Sequence, residues 1–441
     1  MLHTVHTIDD ITAFERIPDL YRDQGITASD LLFFDIETTG LSPKDSYLYM
    51  VGCMYLQDDH AILAQFFSQD ITEEAELIGA FLQLLFSHPV LVHYNGSTFD
   101  VPFLRSKAEQ HGITFPPQIC ELDIYQCIKP YKKLLRLSSL RQKAVEAFLK
   151  LERRDIYDGG ELIDIYLKYI ARSRIINLVP HTTGTGSDDI LGETGEIPPS
   201  GVIAPLPGRK ITDTFSPVSG LRLLGNETLD DLMSAMLLHN YEDVKNMGGI
   251  SLLMAIPAFF KGDFHISRHT LSDDLKAMTI ELIPYRKEII DLFTGRCSGC
   301  LSISSGFKLS MPGPHPFSVT FSAAEGSLML SFEPVCCELK LFLPDYRDYY
   351  YLPSEDYCVH RSLGSLLDRS KAVKCTASNC YIKKTGAFAP VPVKKGGTLK
   401  DLIRLYRAGY KDNAYYALIP DLMEDSEALK TYALQLLNAL L

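Results

Sequence analysis

The sequence predicts an α/β layer fold with a mixed central sheet, followed by a second domain of α+β type. Two observations carry this. Residues 31–110 alternate short apolar runs with stretches of helical period. Beyond about residue 258 the pattern changes to short alternating or aromatic runs that finish in helices. Strands interleaved with helices bury each sheet face under a helical layer, whereas runs of strands closed by helices suit an α+β domain. The length, 441 residues, also favours two or three domains over one core.

Residues 31–36, LLFFDI, read as a buried strand. After the turn chemistry of TTGLSPKDS, two strand-like runs follow, YLYMVGCMYL and AILAQFF, separated by the hairpin-like QDDH. Residues 72–86 have helical period, with Leu77, Ile78, Phe81, Leu82 and Leu85 on one face. Val90 to His93 is another short strand, and residues around 98–110 read as helix. Helices continue over 137–170, with Ser138 or Ser139 as a cap. Residues from about 172 to 225 are rich in Gly, Thr, Pro and Ser and read as a long flexible insertion. A strong helix returns over 226–255, so the insertion interrupts a domain and does not end it. The expected division is an N-terminal segment 1–29, a domain 30–257 and a domain 258–441. In the last, FSVTFSA, SLMLSFE, CELKLFL and DYYYLP read as strands, LKDLIRLYRAG and EALKTYALQLLNALL as helices.

Hydrophobic residues make up 46% and charged residues 22%, as in an ordinary globular protein. No run approaches the ~18 apolar residues of a membrane span, and the start MLHTVHTIDD lacks the pattern of a secretory leader. A cytoplasmic protein with no membrane partner is expected. The formal net charge of -12 divides unevenly, to -14 in residues 1–250 and +2 in 251–441. Arg361 to Lys400 holds nine basic residues and one acid, Asp368. Phosphate contacts are short-ranged at physiological salt, so the overall sign does not exclude a nucleic-acid partner. Two basic stretches are candidate nucleic-acid surfaces: Lys129, Lys132, Lys133 and Arg136 with Tyr131, and Arg361–Lys400 with Tyr381. Oligomeric state is not legible.

Ten cysteines at irregular spacing do not make a disulfide framework. Cys53, Cys336 and Cys337 lie in apolar runs and read as buried, reduced thiols. Cys297 and Cys300 have metal-ligand spacing, and Cys375 with Cys380 would be the second pair, but that spacing is too wide. Structural zinc is therefore not expected, and packing is the reading adopted.

Asp35 and Glu37 close the first buried strand. Side chains two apart share a face, so both carboxylates converge while Ile36 faces the other layer. Inward acids at a strand end call for a cation. Asp100 follows the next strand, after a sharp turn at Asn95-Gly96; a helix N-terminal acid is also favourable for dipole reasons alone. His239 and Asp243 lie four apart on one helical face, with Tyr241 turned away. Each signal alone has an ordinary explanation.

Together the segments FFDIETTGL, HYNGSTFDVPFL and HNYEDV resemble, in order, the three motifs of DEDD-type exonucleases in the RNase H-like superfamily. The second is similar to the proofreading domain of family B DNA polymerases. The whole most resembles the YprB-type ribonuclease H-like domain, which the segment SSLRQKAVEAFLKLERRDI also resembles. The resemblance implies an RNase H-like three-layer fold and a hydrolase acting on phosphodiester bonds as an exonuclease with 3′ to 5′ polarity. It implies that Asp35, Glu37, Asp100 and Asp243 bind two Mg²⁺ or Mn²⁺ ions and that His239 takes the general-base place. It implies that Thr38 and Asn95 contact the terminal nucleotide of DNA or RNA, while Phe99 packs behind Asp100. The histidine-type pattern places His five residues before the last Asp; here His239 stands four before, at the tyrosine-type spacing. A noncatalytic nucleic-acid-binding module and an endonuclease or junction-cleaving enzyme on the same fold remain alternatives.

Overall fold

The structure, a computed structural model, describes residues 1–178, 227–294, 307–311, 317–324, 326–366 and 370–441. The expected insertion, from residue 179 on, and the pair Cys297 and Cys300 lie outside the described residues. The chain divides into two compact units: Met1–Lys129, Leu140–Ala147 and Leu151–Met254 form the first, and Pro130–Ser139, Phe148–Lys150 and Ala255–Leu441 the second. Among the described residues no helix is long and apolar enough to cross a membrane.

The elements of the first unit are β1 (Leu2–Ile8), α1 (Thr12–Leu20), β2 (Leu31–Thr38), β3 (Leu48–Gln57), β4 (His60–Phe67), α2 (Glu74–Ser87), β5 (Val90–His93), α3 (Asp100–Gln110), β6 (Cys120–Asp123), α4 (Ile124–Ile128), most of α5 (Gln142–Leu149), α6 (Gly159–Leu178) and α7 (Leu229–Ile250). Six strands form one mixed sheet in the order β1-β4-β3-β2-β5-β6. β2 pairs antiparallel with β3 and parallel with β5. The direction of the sheet therefore switches at β2, and the carboxyl ends of β2 and β5 open side by side, the usual place for a site in such sheets.

Alternation along β2 builds both layers. Leu32, Phe34 and Ile36 pack with Leu77, Phe81, Phe103 and Leu104 of α2 and α3. On the opposite face Phe33 meets Phe14 of α1, and Tyr49, Met50 and Phe67 pack with Tyr166 of α6 and Leu232 and Met236 of α7. Each such side chain contributes about 1.5–3 kcal/mol by leaving water, so this unit has a complete apolar core on both sides of the sheet.

The strands expected at 31–36, 47–56, 61–67 and 90–93 and the helices at 72–86 and 98–110 are all present. The first residues do more than precede the domain: β1 pairs antiparallel with β4, Leu2 opposite Phe67 through Ile8 opposite Ala61. α6 continues to Leu178, so the first residues of the expected insertion are helical.

The second unit contains α8 (Ile256–Phe260), β7 (Phe264–Leu271), β8 (Met278–Pro284), α9 (Lys287–Thr294), β9 (Phe307–Met311), β10 (Phe317–Ala324), β11 (Ser327–Phe332), β12 (Val335–Phe342), β13 (Tyr349–Leu352), β14 (Tyr357–His360), β15 (Val373–Lys374), β16 (Tyr381–Val391), β17 (Leu405–Tyr406), β18 (Tyr415–Leu418), α10 (Ile419–Glu424) and α11 (Ser426–Ala439). They form sheets β7-β8-β11-β10-β9, β12-β16-β18-β17 and β14-β13-β15, an α+β arrangement. α11 buries Leu429, Tyr432, Leu436 and Leu437.

Two expectations fail here. LKDLIRLYRAG is not a helix: a 3₁₀ segment ends at Asp401, and Leu405–Tyr406 pairs with β18, so strand pairing overrides a weak helical period. Cys53 is buried, but Cys336 is exposed and Cys337 only half-buried. β12 turns Cys337, Leu339 and Leu341 inward, so Cys336 shares the outer face with Glu338. Tyr131 and Tyr381 are both buried, Tyr131 against Phe260 and Tyr381 with its hydroxyl on Asp356. Neither tyrosine presents a ring for base stacking, although Lys129, Lys132, Lys133 and Arg136 are exposed.

Candidate active site

β2 turns Asp35 and Glu37 toward α7, and its pairing with β3 becomes irregular immediately after Glu37. Opposite Asp35 stands Gly52. A Cβ at this position would collide with the side chains of Asn240 and Val244, so glycine is what lets α7 settle on the strand. Asn240 then donates from Nδ2 to Asp35 Oδ2 at 3.1 Å. Its own Oδ1 accepts from Gln65 Nε2 at 3.0 Å, and Gln65 also donates to the Leu237 carbonyl at 2.8 Å. Asp35 is thereby fixed from the helix and the sheet together.

α7 starts at a reciprocal cap: the Thr228 hydroxyl accepts from the Asp231 N–H at 3.1 Å, and Asp231 accepts from the Thr228 N–H at 2.9 Å. One helical turn brings His239 and Asp243 together, with Nε2 to Oδ2 at 3.0 Å. The same Nε2 lies 3.5 Å from Glu37 Oε1. Glu37, His239 and Asp243 offer ligand atoms that all lie within 4.8 Å of one another.

Asp100 arrives from the neighbouring strand end. Asn95 takes a left-handed conformation, φ 65°, and its N–H donates to Asp123 Oδ1 at 3.0 Å. A Cβ on Gly96 would press on Asp100 Oδ2 and the His93 ring, so this turn also requires glycine. Asp100 opens α3 and is buried. Phe99, the residue before it, packs against Phe103 with the rings tilted and their centroids 5.4 Å apart.

The charges of this cluster act on one another. Burial, then the charges of Asp243, Glu37 and Asp100, push Asp35 well above the usual carboxylate range. Burial raises Glu37 to about 7 against the pull of His239, with Asp243 and Asp100 adding to the rise. Burial pushes Asp100 up to about 7, helped by Asp123 and Asp243. Asp243 is the exception. Burial acts to raise it, but His239 and the Arg153 guanidinium, 2.7 Å from Oδ1, hold it below its ordinary value. His239 is raised well above 6.5, because Asp243 and Glu37 outweigh burial, which acts to lower it. Three acids thus resist ionisation where they stand, and such a set is stabilised by cations.

The other two expected residues are placed differently. Thr38 is buried and its hydroxyl donates to the Gly40 carbonyl at 2.9 Å, which ties it to the turn after β2. Asn95 is exposed, on the turn that leads to Asp100.

Sequence reasoning missed a supporting layer. Asp155 is buried, and its Oδ2 meets His239 Nδ1 at 2.8 Å. Lys143 Nζ at 2.8 Å and Arg153 Nη2 at 3.1 Å bind the same oxygen. Burial acts to raise Asp155, but the hydrogen bond and charge of His239 and the bond from Lys143 hold it well below the carboxylate range. Glu146 pairs with Arg153 at 2.9 Å. Glu242 accepts the backbone N–H groups of Arg154, at 3.0 Å, and Asp155, at 2.8 Å, which fixes that loop to α7. The signal available beforehand was the dense charge of Glu152-Arg153-Arg154-Asp155, directly after a helix with buried Val145 and Leu149. Asp123 was missed too; its Oδ2 is buried with no hydrogen-bond partner among the described residues.

Residues 32–179 match the sequence profile of the RNase_H superfamily. The chain is 28% identical over 170 residues to a PolC-type DNA polymerase III of Ureaplasma parvum, a match that takes in 33% of this chain and 12% of the polymerase. It therefore spans only a small part of that relative's length. Among solved structures, the family B DNA polymerase of the archaeon Pyrobaculum calidifontis aligns at 17% identity with a TM-score of 0.28, over 33% of this chain and 22% of that one. E. coli exonuclease I in complex with a dT13 oligonucleotide aligns at 15% identity with a TM-score of 0.23, over 34% and 41%. The first unit thus carries an RNase H-like domain.

Proposed function

We propose that this protein is a divalent-metal-dependent nuclease that shortens nucleic-acid chains from the 3′ end. The observation that carries the reading is the convergence of Glu37, His239 and Asp243 within 4.8 Å of one another, with Asp35 and Asp100 close enough to act on their charges and three of the four acids pushed toward neutrality by burial and repulsion. The donor set fits the group that the fold implies: hard carboxylate oxygens suit Mg²⁺ or Mn²⁺ and do not favour a soft cation. When bound, such ions supply charge stabilisation to the attacking and leaving oxygens of a phosphodiester.

The chain's own residues do the rest. Asp155 accepts the Nδ1 proton of His239, which fixes the ring and leaves Nε2 toward Glu37 and Asp243. Once the charges of those two carboxylates are neutralised, their hold on the Nε2 proton weakens, and Nε2 can take a proton from the attacking water. Histidine at four residues before Asp243 therefore serves as general base in this site, with Asp155 as its orienting partner. Asn95, exposed on the turn before Asp100, contacts the terminal nucleotide. Thr38 contributes by shaping the turn at Gly40.

The test uses end-labelled single- and double-stranded DNA and RNA with Mg²⁺, Mn²⁺ or chelator. Stepwise shortening from the 3′ end in either metal, abolished by chelator, is the expected result. Internal cuts without a ladder would overturn the exonuclease assignment, and retention of substrate without cleavage in either metal would overturn hydrolysis itself.

A further inference from the structure

We propose that Cys358, Cys375 and Cys380 hold a zinc(II) ion that ties together the three-stranded sheet β14-β13-β15 of the second unit. The sulfurs lie within 4.8 Å of one another, and Cys375 Sγ is 3.8 Å from Cys358 Sγ. Four sulfurs arranged tetrahedrally around zinc at about 2.3 Å stand about 3.8 Å apart. A disulfide would need about 2.05 Å.

Strand pairing brings the thiols together from three places. Cys358 on β14 stands opposite Tyr351 of β13. Just past β15, the Cys375 N–H donates to the Tyr349 carbonyl of β13 at 3.2 Å. Cys380 closes the turn that follows, its N–H on the Thr376 carbonyl at 3.1 Å, while Asn379 Oδ1 accepts from the Thr376 N–H at 2.6 Å. Backbone hydrogen bonds thus fix the positions from which all three thiols converge.

Plain packing explains this cluster poorly. All three cysteines are buried, Cys380 completely, and they are the buried members of their cluster; Leu343, Tyr346, Tyr349 and Tyr351 pack around them only partly buried. β13 and β14 have four residues each and β15 two. So small a lobe, in which Leu352 is the one buried aliphatic side chain among the described residues of its three strands, gains from a crosslink that holds its shape. Soft thiolates select zinc over the magnesium or manganese suited to carboxylates, so the two clusters take different ions. Binding releases the three thiol protons to solvent. Cys358 now donates to the Asn379 carbonyl at 3.1 Å and would exchange that contact for the ion. No other His, Cys, Asp or Glu among the described residues joins the set, so the fourth position takes water or a donor from outside it. The pairing of Cys375 and Cys380 with Cys297 and Cys300, the only one suggested by spacing, omits Cys358.

The test begins with full-length protein purified under reducing conditions and analysed for zinc, followed by exchange with Co²⁺. The expected result is about one zinc per chain, released by a thiol-specific mercurial. Co²⁺ should give the thiolate-to-metal charge-transfer band, which carboxylates cannot produce. Cys358→Ser, Cys375→Ser and Cys380→Ser should each weaken or abolish the band. Cys120→Ser, at an exposed cysteine of the first unit, should leave it intact. Folded wild-type protein with neither zinc nor the cobalt band would overturn the proposal even if the serine variants fail to fold. A band that survives in all three variants, or a disulfide between two of these cysteines in zinc-free protein, would do the same.

Discussion

The carboxylates of the first unit gather beside a core that is already complete, with Leu32, Phe34 and Phe81 on one face of the sheet and Tyr49, Tyr166 and Met236 on the other. The cysteines of the second unit gather in a small lobe, where they are themselves the buried members of their cluster. Convergence of ligand-type side chains looks alike in the two places, but its consequence differs. In the first, the donors oppose folding through burial and repulsion, and the apolar layers hold them in place. In the second, the donors are the interior. Loss of a carboxylate should therefore be felt in rate with the fold intact, whereas loss of a thiol should be felt in the fold.

The sharpest way to break that contrast is Asp35→Asn. The amide keeps the shape and an acceptor for Asn240 while removing the charge. Turnover should fall by at least about a thousandfold, the scale of losing a major electrostatic contribution to the transition state. The Tm of the metal-free protein should stay level or rise, because burial and repulsion already disfavour a charged Asp35. A Tm drop comparable to that of a core truncation would show that the carboxylates are structural after all.

Smaller effects separate the base from its support. His239→Ala should lower kcat by about a hundredfold or more, as expected for general-base catalysis. Unchanged turnover would remove His239 from the mechanism. Asp155→Asn should lower kcat by about 10–100-fold and shift the acidic limb of its pH profile to lower pH, because the partner at Nδ1 loses its charge. A loss of activity without any change in the pH profile would point to loop collapse and not to a role through His239.

The smallest effect is in stability against pH. Glu37 and Asp100, ordinarily at 4.5 and 3.8, are both raised to about 7. An acid whose pKa is higher in the folded state binds more protons there, so stability falls as pH rises from about 4 to about 7. His239, raised above 6.5, stabilises fully below that value and loses its contribution as pH climbs through its folded pKa. The two slopes have the same sign. Metal-free protein should be less stable at pH 8 than at pH 5, and saturating Mn²⁺ should raise Tm by several degrees more at pH 8, at about 2–4 °C per kcal/mol. Equal shifts at both pH values would count against the carboxylates as the ligands.

Much of the first unit was legible because its signals are local. LLFFDI is a buried strand by composition alone, and the pairs Asp35/Glu37 and His239/Asp243 share faces by strand and helix period. β1 and β6 were not legible: LHTVHTI and CELD are largely polar, and each becomes a strand by pairing with β4 or β5. Asp155 lies in an irregular stretch with no period and reaches His239 across 84 residues of sequence. Cys358 was hidden similarly, since it meets Cys375 through the pairing of both segments with β13 and not through any motif spacing. Residues that work through distant contacts leave little trace in their own neighbourhood.

α7 has a further consequence for how this domain can vary. The helix begins at Leu229, directly after the Thr228 cap, and His239 follows ten residues later. At 1.5 Å per residue that is about 15 Å of rigid rod. The segment before the cap can lengthen, shorten or change composition while the rod insulates His239 and Asp243 from it. A single residue deleted between Leu229 and His239 is another matter. It would swing whatever follows by about 100° around the axis, enough to turn the imidazole and its carboxylate away from the strand.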